Sequence, residues 1–560
     1  MGLRSSKLTK PRTSKTREIN ETTPLKITKI THNIPIEIIE EIFYYLEDDI
    51  SALYYCILIN RYFCSKLLPI LWSNPLKNLS INNHLKNLNY INLYISLFNE
   101  EETNIFLLKN EEQNKIIKQL QKNLFDIKKN LKPPLFNYIR YLKEFDYPKL
   151  KKATTYWIVS NEYLPKEGLD FKFKCVRNNL LRALCSLAFR SSNLSLLCLF
   201  YKTHLPSFIR EPSNFENVKS ISLKIDYNRH MTNGVYEFIK SLPQCCKKLQ
   251  HVSLDITYVG FTIIHDLALL IKVQNNLKYL KISQNIDSFG DSLINHIILA
   301  IESQARTLTS LIFKDIENKI LVIEILSKCS NLKNLEFFDE VIKKEKLSIK
   351  KGVPFSLESL KLINQQEDLV SYLISFGGGN QLTSLWLDVV DENILKSILK
   401  TSMNITHLRL SISNIYKESN LKDYLRLIGS LNLIYLGLYL NKLYIYNKMF
   451  IQMASIIPDT LKVLELVNQF KPLIIKEFLE KIDISLEKLI LIPNIPNSYG
   501  NKKRYSYFKN FLQFATSFNI TVSKLILKYD NFNKLDIDKE LKLELQNYYQ
   551  IEYLDLNNEL

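Results

Sequence analysis

Glycine is scarce in this chain, with 12 residues among 560. Loops that cradle phosphate groups with backbone N–H groups therefore have little material. The one glycine cluster, Gly377-Gly378-Gly379-Asn380, lacks the Lys-Ser/Thr that follows in a phosphate loop and reads as a turn. No Gly-x-Ser-x-Gly elbow occurs, which removes the usual strained turn of a serine nucleophile. The eight histidines are scattered, without His-x-x-x-His or a Cys/His cluster at metal-ligand spacing. The eight cysteines, Cys56, Cys64, Cys175, Cys185, Cys198, Cys245, Cys246 and Cys329, form no Cys-x-x-Cys pair. Several sit in apolar runs, where a free thiol behaves as a small hydrophobe. Together with the lack of a secretory apolar segment, this predicts a reducing compartment, cytoplasmic or nuclear. No apolar run approaches the roughly 18 residues of a membrane span; Phe261 to Val273, for instance, is interrupted by His265 and Asp266. The absences predict a non-enzymatic chain with no cofactor and no metal that does not cross a membrane.

What is present belongs to a globular protein: 46% hydrophobic residues and 23% charged ones. The net charge of +17 is dispersed along the chain. It accompanies an abundance of Lys, Asn, Ile and Tyr of the kind an AT-rich genome produces, so nucleic acid is not the expected partner. Residues 1–30 form a polar, basic tail in which Arg4, Lys7, Lys10, Arg12, Lys15 and Arg17 precede the first acid, Glu18. Such a segment buries too little to fold. Met1-Gly2-Leu3-Arg4-Ser5-Ser6 satisfies the pattern for N-myristoylation at Gly2, and the basic cluster behind it supplies a second membrane signal. Three readings stand for this tail: a lipidated anchor making peripheral membrane contact, a nuclear-import or non-specific basic segment, and a solvated tail with no further role.

Residues 31–74 carry three short helical patterns. Pro35 suits a first helical position and Glu37 the positive end of the helix dipole. Ile38, Ile39, Ile42, Phe43 and Leu46 then recur at helical spacing. Asp48 or Asp49 can cap a second helix bearing Ile50, Leu53, Tyr54, Ile57 and Leu58, and Asn60 a third bearing Phe63, Leu67 and Leu68 toward Leu71-Trp72. Three helices in some forty residues bury little, so a partner or neighbouring domain is expected. Ile34-Pro35-Ile36-Glu37-Ile38, with Ile42, Leu46, Asp49, Arg61, Leu71 and Trp72, resembles the F-box motif; Ile34 replaces the family's usual Leu, and Phe63 lies near where it often has Trp. The resemblance implies binding to an Skp-type adaptor through Ile34, Pro35, Ile38, Ile42, Leu46, Leu71 and Trp72.

Residues 75–135 read as a helical connector, with apolar spacing over Leu85 to Phe98. Asn99 caps a run opening Glu100-Glu101-Glu102, and a further helix over about Glu111 to Lys129 ends before Pro133-Pro134. From residue 136 to 560 the chain repeats. Asn276 to Ile282, Asn331 to Phe337 and Ser356 to Leu362 are the clearest copies; Gln381 to Leu387, Asn404 to Leu410, Asn432 to Leu438, Thr460 to Leu466 and Ser485 to Leu491 continue them. Weaker copies start at Leu194, Val218, Leu249, Leu308, Val522 and Ile551. Counting from the residue after the leading polar one, positions 1, 4 and 6 are apolar. Successive starts lie about 23 to 36 residues apart with helix-like runs between, near the leucine-rich-repeat period. The Asn that closes the standard consensus is present at Asn285 and Asn441 but absent from most copies.

The expected fold is thus α/β: a three-helix F-box and helical connector followed by an irregular leucine-rich-repeat solenoid, or horseshoe. Positions 3, 5 and 7 alternate away from the buried leucines onto the concave face. In the middle copies they are Glu336, Phe338, Lys361, Trp386, Asp388, His407, Arg409, Tyr435 and Tyr439. Trp, Tyr and Arg dominate binding hot spots, so Lys361, Trp386, His407, Arg409, Tyr435 and Tyr439 are the candidate contacts to a protein substrate. The order of F-box then repeats is similar to the F-box/leucine-rich-repeat family, especially its fungal branches. That resemblance implies a substrate receptor of an Skp–cullin–F-box ubiquitin ligase, with Skp-type adaptor and cullin as partners. The competing expectations are a non-degradative scaffold and a membrane-peripheral interaction protein directed by Gly2.

Overall fold

An apolar residue at every second position of a short segment forces one face of a strand inward, and a chain of such segments joined by helices can stack only side by side. The computed structural model of the protein shows this stacking. It describes residues 35–47, 49–77, 84–107, 134–160, 169–200, 212–226, 233–257, 260–284, 291–316, 318–339, 357–377, 381–388, 390, 392–401, 404–412, 418–440, 451–467, 472–482, 484–492 and 522–527. The chain divides into two compact units, Met1–Ser73 and Asn74–Leu560.

In the second unit the described residues form fourteen strands: β1 (Glu144–Asp146), β2 (Leu196–Phe200), β3 (Ser220–Asp226), β4 (His251–Thr257), β5 (Tyr279–Gln284), β6 (Ser310–Lys314), β7 (Asn334–Phe338), β8 (Ser359–Ile363), β9 (Ser384–Leu387), β10 (His407–Ile412), β11 (Tyr435–Leu440), β12 (Val463–Val467), β13 (Leu486–Ile492) and β14 (Val522–Leu527). They lie in one sheet in sequence order. Every pairing is parallel, and equivalent repeat positions pair, as Glu336 with Lys361 and Lys361 with Trp386. This is an α/β repeat solenoid.

Positions 4 and 6 are buried throughout the middle of the sheet: Leu335 and Phe337, Leu360 and Leu362, Leu385 and Leu387, Leu408 and Leu410. Position 1, at the turn entering each strand, is buried too, as at Leu277, Leu332, Leu357 and Leu382. Full burial of one such side chain contributes about 2 kcal/mol, which no repeat realises without its neighbours. Between strands run helices such as Phe261–Lys272, Asp291–Ile301, Lys319–Leu326, Glu367–Gly377 and Glu392–Thr401. Their inward faces complete the core, as Ile263, Ile264, Leu267, Leu270 and Ile271 do in the first of these.

Two polar devices join neighbouring repeats. Buried Gln274 accepts from the Leu249 amide at 2.8 Å and donates to the Cys246 and Leu270 carbonyls at 2.7 Å, and Gln304 donates to the Gln274 carbonyl at 2.8 Å. The carbonyls so bound lie at or just past helix ends, where no helix can satisfy them itself, and the Leu249 amide lies in the turn entering β4. The second device sits where the strands end. Asp315 and Asn364 adopt φ of 57° and 54°, a left-handed conformation that Asp and Asn tolerate best among side-chain-bearing residues. The Asp315 amide donates to Phe338 O at 2.7 Å, and Asn364 Nδ2 donates to Asp339 O at 2.8 Å. Asp339 in turn holds Lys319 in a buried ion pair. The closing residues expected at Asn285 and Asn441 lie outside the described residues; Asp315, Asp339 and Asn364, directly after β6, β7 and β8, tie those repeats together.

The repeat also begins earlier than its pattern suggests. Leu142, Phe145 and Tyr147 occupy positions 1, 4 and 6 of a further copy around β1, and all three are buried. Tyr147 already opens a helix, Tyr147–Ser160, so the strand is only three residues long. The helix His84–Ser96 packs on Tyr147–Ser160, and the helix Glu100–Phe106 packs on Leu169–Ser191. Trp157 donates its indole N–H to Asn92 Oδ1 at 2.7 Å. Arg190 grips the fully buried Glu102 carboxylate with both its Nε and Nη2, at 2.9 and 3.1 Å. The Asn99–Glu102 capping box that starts the helix Glu100–Phe106 is complete. The helix expected over Glu111 to Lys129 and the copy at Ile551 lie outside the described residues.

Candidate functional site

The first unit consists, as described, of helices Ile36–Tyr45, Ile50–Cys56 and Arg61–Leu71. Pro35 is the N-cap, one residue before the helical position expected for it. Asp49 accepts from the Ala52 amide at 2.9 Å and Asn60 from the Phe63 amide at 2.8 Å, so each caps its helix. A small core gathers Ile39, Phe43, Leu53 and Leu67, with Phe43 and Phe63 edge to face at 4.9 Å. Lys66 binds Glu40 at 2.6 Å across two helices, which holds the Glu40 carboxyl below its ordinary range.

The apolar stripe of the first helix is divided. Ile39 and Phe43 face the core, while Ile38 and Ile42 are 46% and 45% exposed. Tyr45 extends the exposed stripe by another turn, and Tyr54, Tyr55, Leu58 and Ile59 add exposed apolar surface from the second helix and its end. Of the candidate adaptor contacts, Pro35, Ile38 and Ile42 are exposed. Leu46 and Leu71 pack half-buried on the unit's own core, and Trp72 is half-buried at the close of the third helix. Ile34 and Gly2 lie outside the described residues.

In the second unit the candidate contacts occupy the face of the sheet opposite the buried leucines. Position 5 forms a continuous row from β7 to β12: Glu336, Lys361, Trp386, Arg409, Gly437 and Glu465. Strands about 4.8 Å apart put each side chain within reach of the next. Lys361 Nζ lies 3.7 Å from the Trp386 ring centroid and 4.5 Å from that of Phe338. Arg409 Cζ lies 3.8 Å from the same Trp386 ring. Lys361 and Arg409 come from the strands on either side of Trp386, so the indole is held between two cations. Glu336 stands 3.9 Å from Lys361.

Arg409 also reaches Glu465, two strands away, at 3.0 Å from Nη2 to Oε1. The residue between them is Gly437, and this is one of the few places where glycine is required. A Cβ there would sit 2.8 Å from Arg409 Cγ and 3.2 Å from the Tyr435 hydroxyl oxygen. Tyr435 donates its hydroxyl proton to the other oxygen of Glu465. Burial, then the Glu465 charge and that hydrogen bond, push the Tyr435 hydroxyl well above the ordinary tyrosine range. At position 3, exposed His407 stacks on Tyr435 with ring centroids 6.1 Å apart and planes 15° apart, and its Nδ1 lies 2.9 Å from the Thr406 hydroxyl. Tyr439 is half-buried at position 7 of β11.

The six candidate contacts therefore share one face, and five of them, Lys361, Trp386, His407, Arg409 and Tyr435, belong to one interacting set. Gly437 and Glu465 are the members that sequence reasoning missed. Both stand at position 5 of copies that had been identified, so the row itself was the signal. Among the described residues, no group of three or more His, Cys, Asp or Glu side chains could hold a metal ion, and no helix is long and apolar enough to cross a membrane.

The class defined by strand order and register is the α/β repeat solenoid, preceded in sequence by a small three-helix unit. No family model matches the chain, and no curated protein matches it. Among solved structures it is similar to a chain in the crystal structure of a TLR13–ssRNA13 complex, at 15% identity and a TM-score of 0.31, over 62% of this chain and 50% of that one. This chain thus spans about half the length of that neighbour.

Proposed function

We propose that the chain is the substrate-recognition subunit of an Skp–cullin–F-box type ubiquitin ligase. In this reading residues 35–72 are an F-box that docks on an Skp-type adaptor, and the solenoid is a leucine-rich-repeat domain whose free sheet face holds a protein substrate. The observation that carries it is the exposed apolar surface of the three-helix unit: Ile38, Ile42 and Tyr45 along the first helix, and Tyr54, Tyr55, Leu58 and Ile59 on the second helix and its end. So much apolar surface on so small a unit favours a partner that covers it. The chain itself forms no bond to ubiquitin. It raises the local concentration of substrate lysines near a charged conjugating enzyme, turning a bimolecular encounter into a local one.

The test is capture of Skp adaptor and cullin by the intact chain, beside the variant Pro35→Ala, Ile42→Asp. Because Ile42 is 45% exposed, the aspartate leaves the unit's own core intact but would place an unpaired charge in a desolvated interface. Intact chain that captures both, with a folded variant that captures neither, is the expected result. Capture of the adaptor without cullin would assign the chain to a non-degradative scaffold, and capture of neither would overturn the reading.

A further inference from the structure

Two residues before position 5, position 3 forms a parallel row on the same free face of the sheet. From β6 to β9 it consists of small polar residues: Ser310, Asn334, Ser359 and Ser384. At position 5 the same strands carry Ile312, Glu336, Lys361 and Trp386, all of them larger. A row of short side chains beside a row of long ones makes a trough that runs across the strands. Both of its ends are aromatic. Tyr279 precedes Ser310 in the row, its ring centroid 5.9 Å from that of His251. His407 follows Ser384 and stacks on Tyr435.

The floor of the trough differs chemically from its border. Thr309, Thr383 and Thr406, each one residue before position 3, donate their hydroxyls to carbonyls of the preceding repeat at 3.1, 3.1 and 3.3 Å. Those hydroxyls are committed to the fold. Ser310, Asn334, Ser359 and Ser384 are half-buried, and among the described residues their side chains have no hydrogen-bond partner. Each can both donate and accept. The charges alongside are neutralised in pairs, Glu336 with Lys361 at 3.9 Å and Lys333 with Glu358 at 2.7 Å. A phosphodiester strand needs unpaired cations, and an apolar ligand would leave the polar floor without partners. An extended peptide supplies N–H and C=O groups along its length and brings no backbone charge.

We infer that the trough over Ser310, Asn334, Ser359 and Ser384 receives an extended, uncharged segment of a protein partner. Its backbone bonds to the floor, and side chains at its two ends pack on the His–Tyr pairs. The five inter-strand steps from Tyr279 to His407, about 4.8 Å each, span about 24 Å, room for about seven extended residues. This rests on the reading of the free sheet face as a substrate surface and names the form of the substrate held there.

The test selects a phage-displayed library of random linear peptides, about twelve residues long so that about seven can lie in the trough, on the immobilised full chain. Enriched peptides are synthesised and their Kd measured at about 0.05 and about 0.5 M sodium chloride. Ser359→Tyr fills the trough, while Ser359→Ala with Ser384→Ala removes two hydroxyls and adds no bulk. As a control, Ser253→Tyr places the same ring on the same face at position 5 of β4, outside the trough. The expected peptides carry no net charge over their central residues. Their affinity should fall at least about tenfold in Ser359→Tyr and about fivefold in the double-alanine variant. It should stay within about twofold in Ser253→Tyr and between the two salt concentrations. No enrichment, unchanged affinity in either trough variant, equal loss in Ser253→Tyr, or enrichment of charged peptides whose binding falls with salt would overturn the inference. Capture of the Skp adaptor by the same preparations separates the two readings. Adaptor bound without peptide removes only the trough, and peptide bound in the trough without adaptor removes only the ligase assignment.

Discussion

Arg409 and Glu465 meet at 3.0 Å although a whole strand separates them, because the intervening position is Gly437. The arginine lies across the space a side chain would fill. Glu465 is buried beneath it and is bound from its other oxygen by Tyr435.

Gly437→Ala should therefore lower stability by about 1–3 kcal/mol, since its methyl would meet Arg409 Cγ, which is not the free end of that side chain. Urea unfolding measures this. Arg409→Met should cost about 3–5 kcal/mol by leaving Glu465 buried without its cation. The double variant should be less destabilised than the sum of the two, because both act on one contact.

The raised Tyr435 hydroxyl has a consequence in alkali. A folded-state pKa above the unfolded value near 10 means that the unfolded chain gives up this proton first. The stabilisation is complete below that pH and is lost as pH rises above it. Denaturation midpoints compared at pH 9 and 11 should fall less in Tyr435→Phe than in the unaltered chain. An equal fall would mean that this hydroxyl does not contribute to the slope.

In the three-helix unit, neighbouring side chains should behave oppositely. Phe43→Ala opens a cavity at a residue only 3% exposed and should cost about 3–5 kcal/mol, unfolding a unit of this size. Ile42→Ala should cost under about 1 kcal/mol. Amide exchange across residues 36–71 distinguishes them.

Glu102 and Arg190 tie the helix Glu100–Phe106 to the helix Leu169–Ser191. Removing the cation alone, as in Arg190→Met, should cost about 3 kcal/mol or more, because Glu102 is fully buried. Arg190→Met combined with Glu102→Gln should recover part of that loss. Thermal unfolding of the three variants reads the difference.

Much of the fold is legible in the chain itself. An alternating pattern such as Leu357, Leu360, Leu362 determines which side of a strand faces inward, because side chains alternate with a period of two. The spacing of such copies requires helices between them and so a parallel stack. Caps are equally local, and Asp49, Asn60 and Asn99 each accept from the amide three residues further on. The copy at Leu142 is weak as a pattern, because its sixth position is Tyr147 and not an aliphatic residue, and its strand passes directly into a helix.

Tertiary structure alone decided what the polar residues do. Helical spacing gave Ile38 and Ile39 the same standing, and only the arrival of Leu53 and Leu67 made one core and the other surface. Composition marked Trp386 as a hot spot, but whether its faces are open depends on which residues the flanking strands place at the same height. Those residues lie 25 positions before it and 23 after it in sequence. Their alignment is a property of inter-strand register, set by hydrogen bonds between repeats and by the buried leucines beneath them. The same register carries Glu465 under Arg409 and leaves Gly437 in between. Local pattern determined the strands and their faces, and packing between repeats decided which side chains of the exposed row meet.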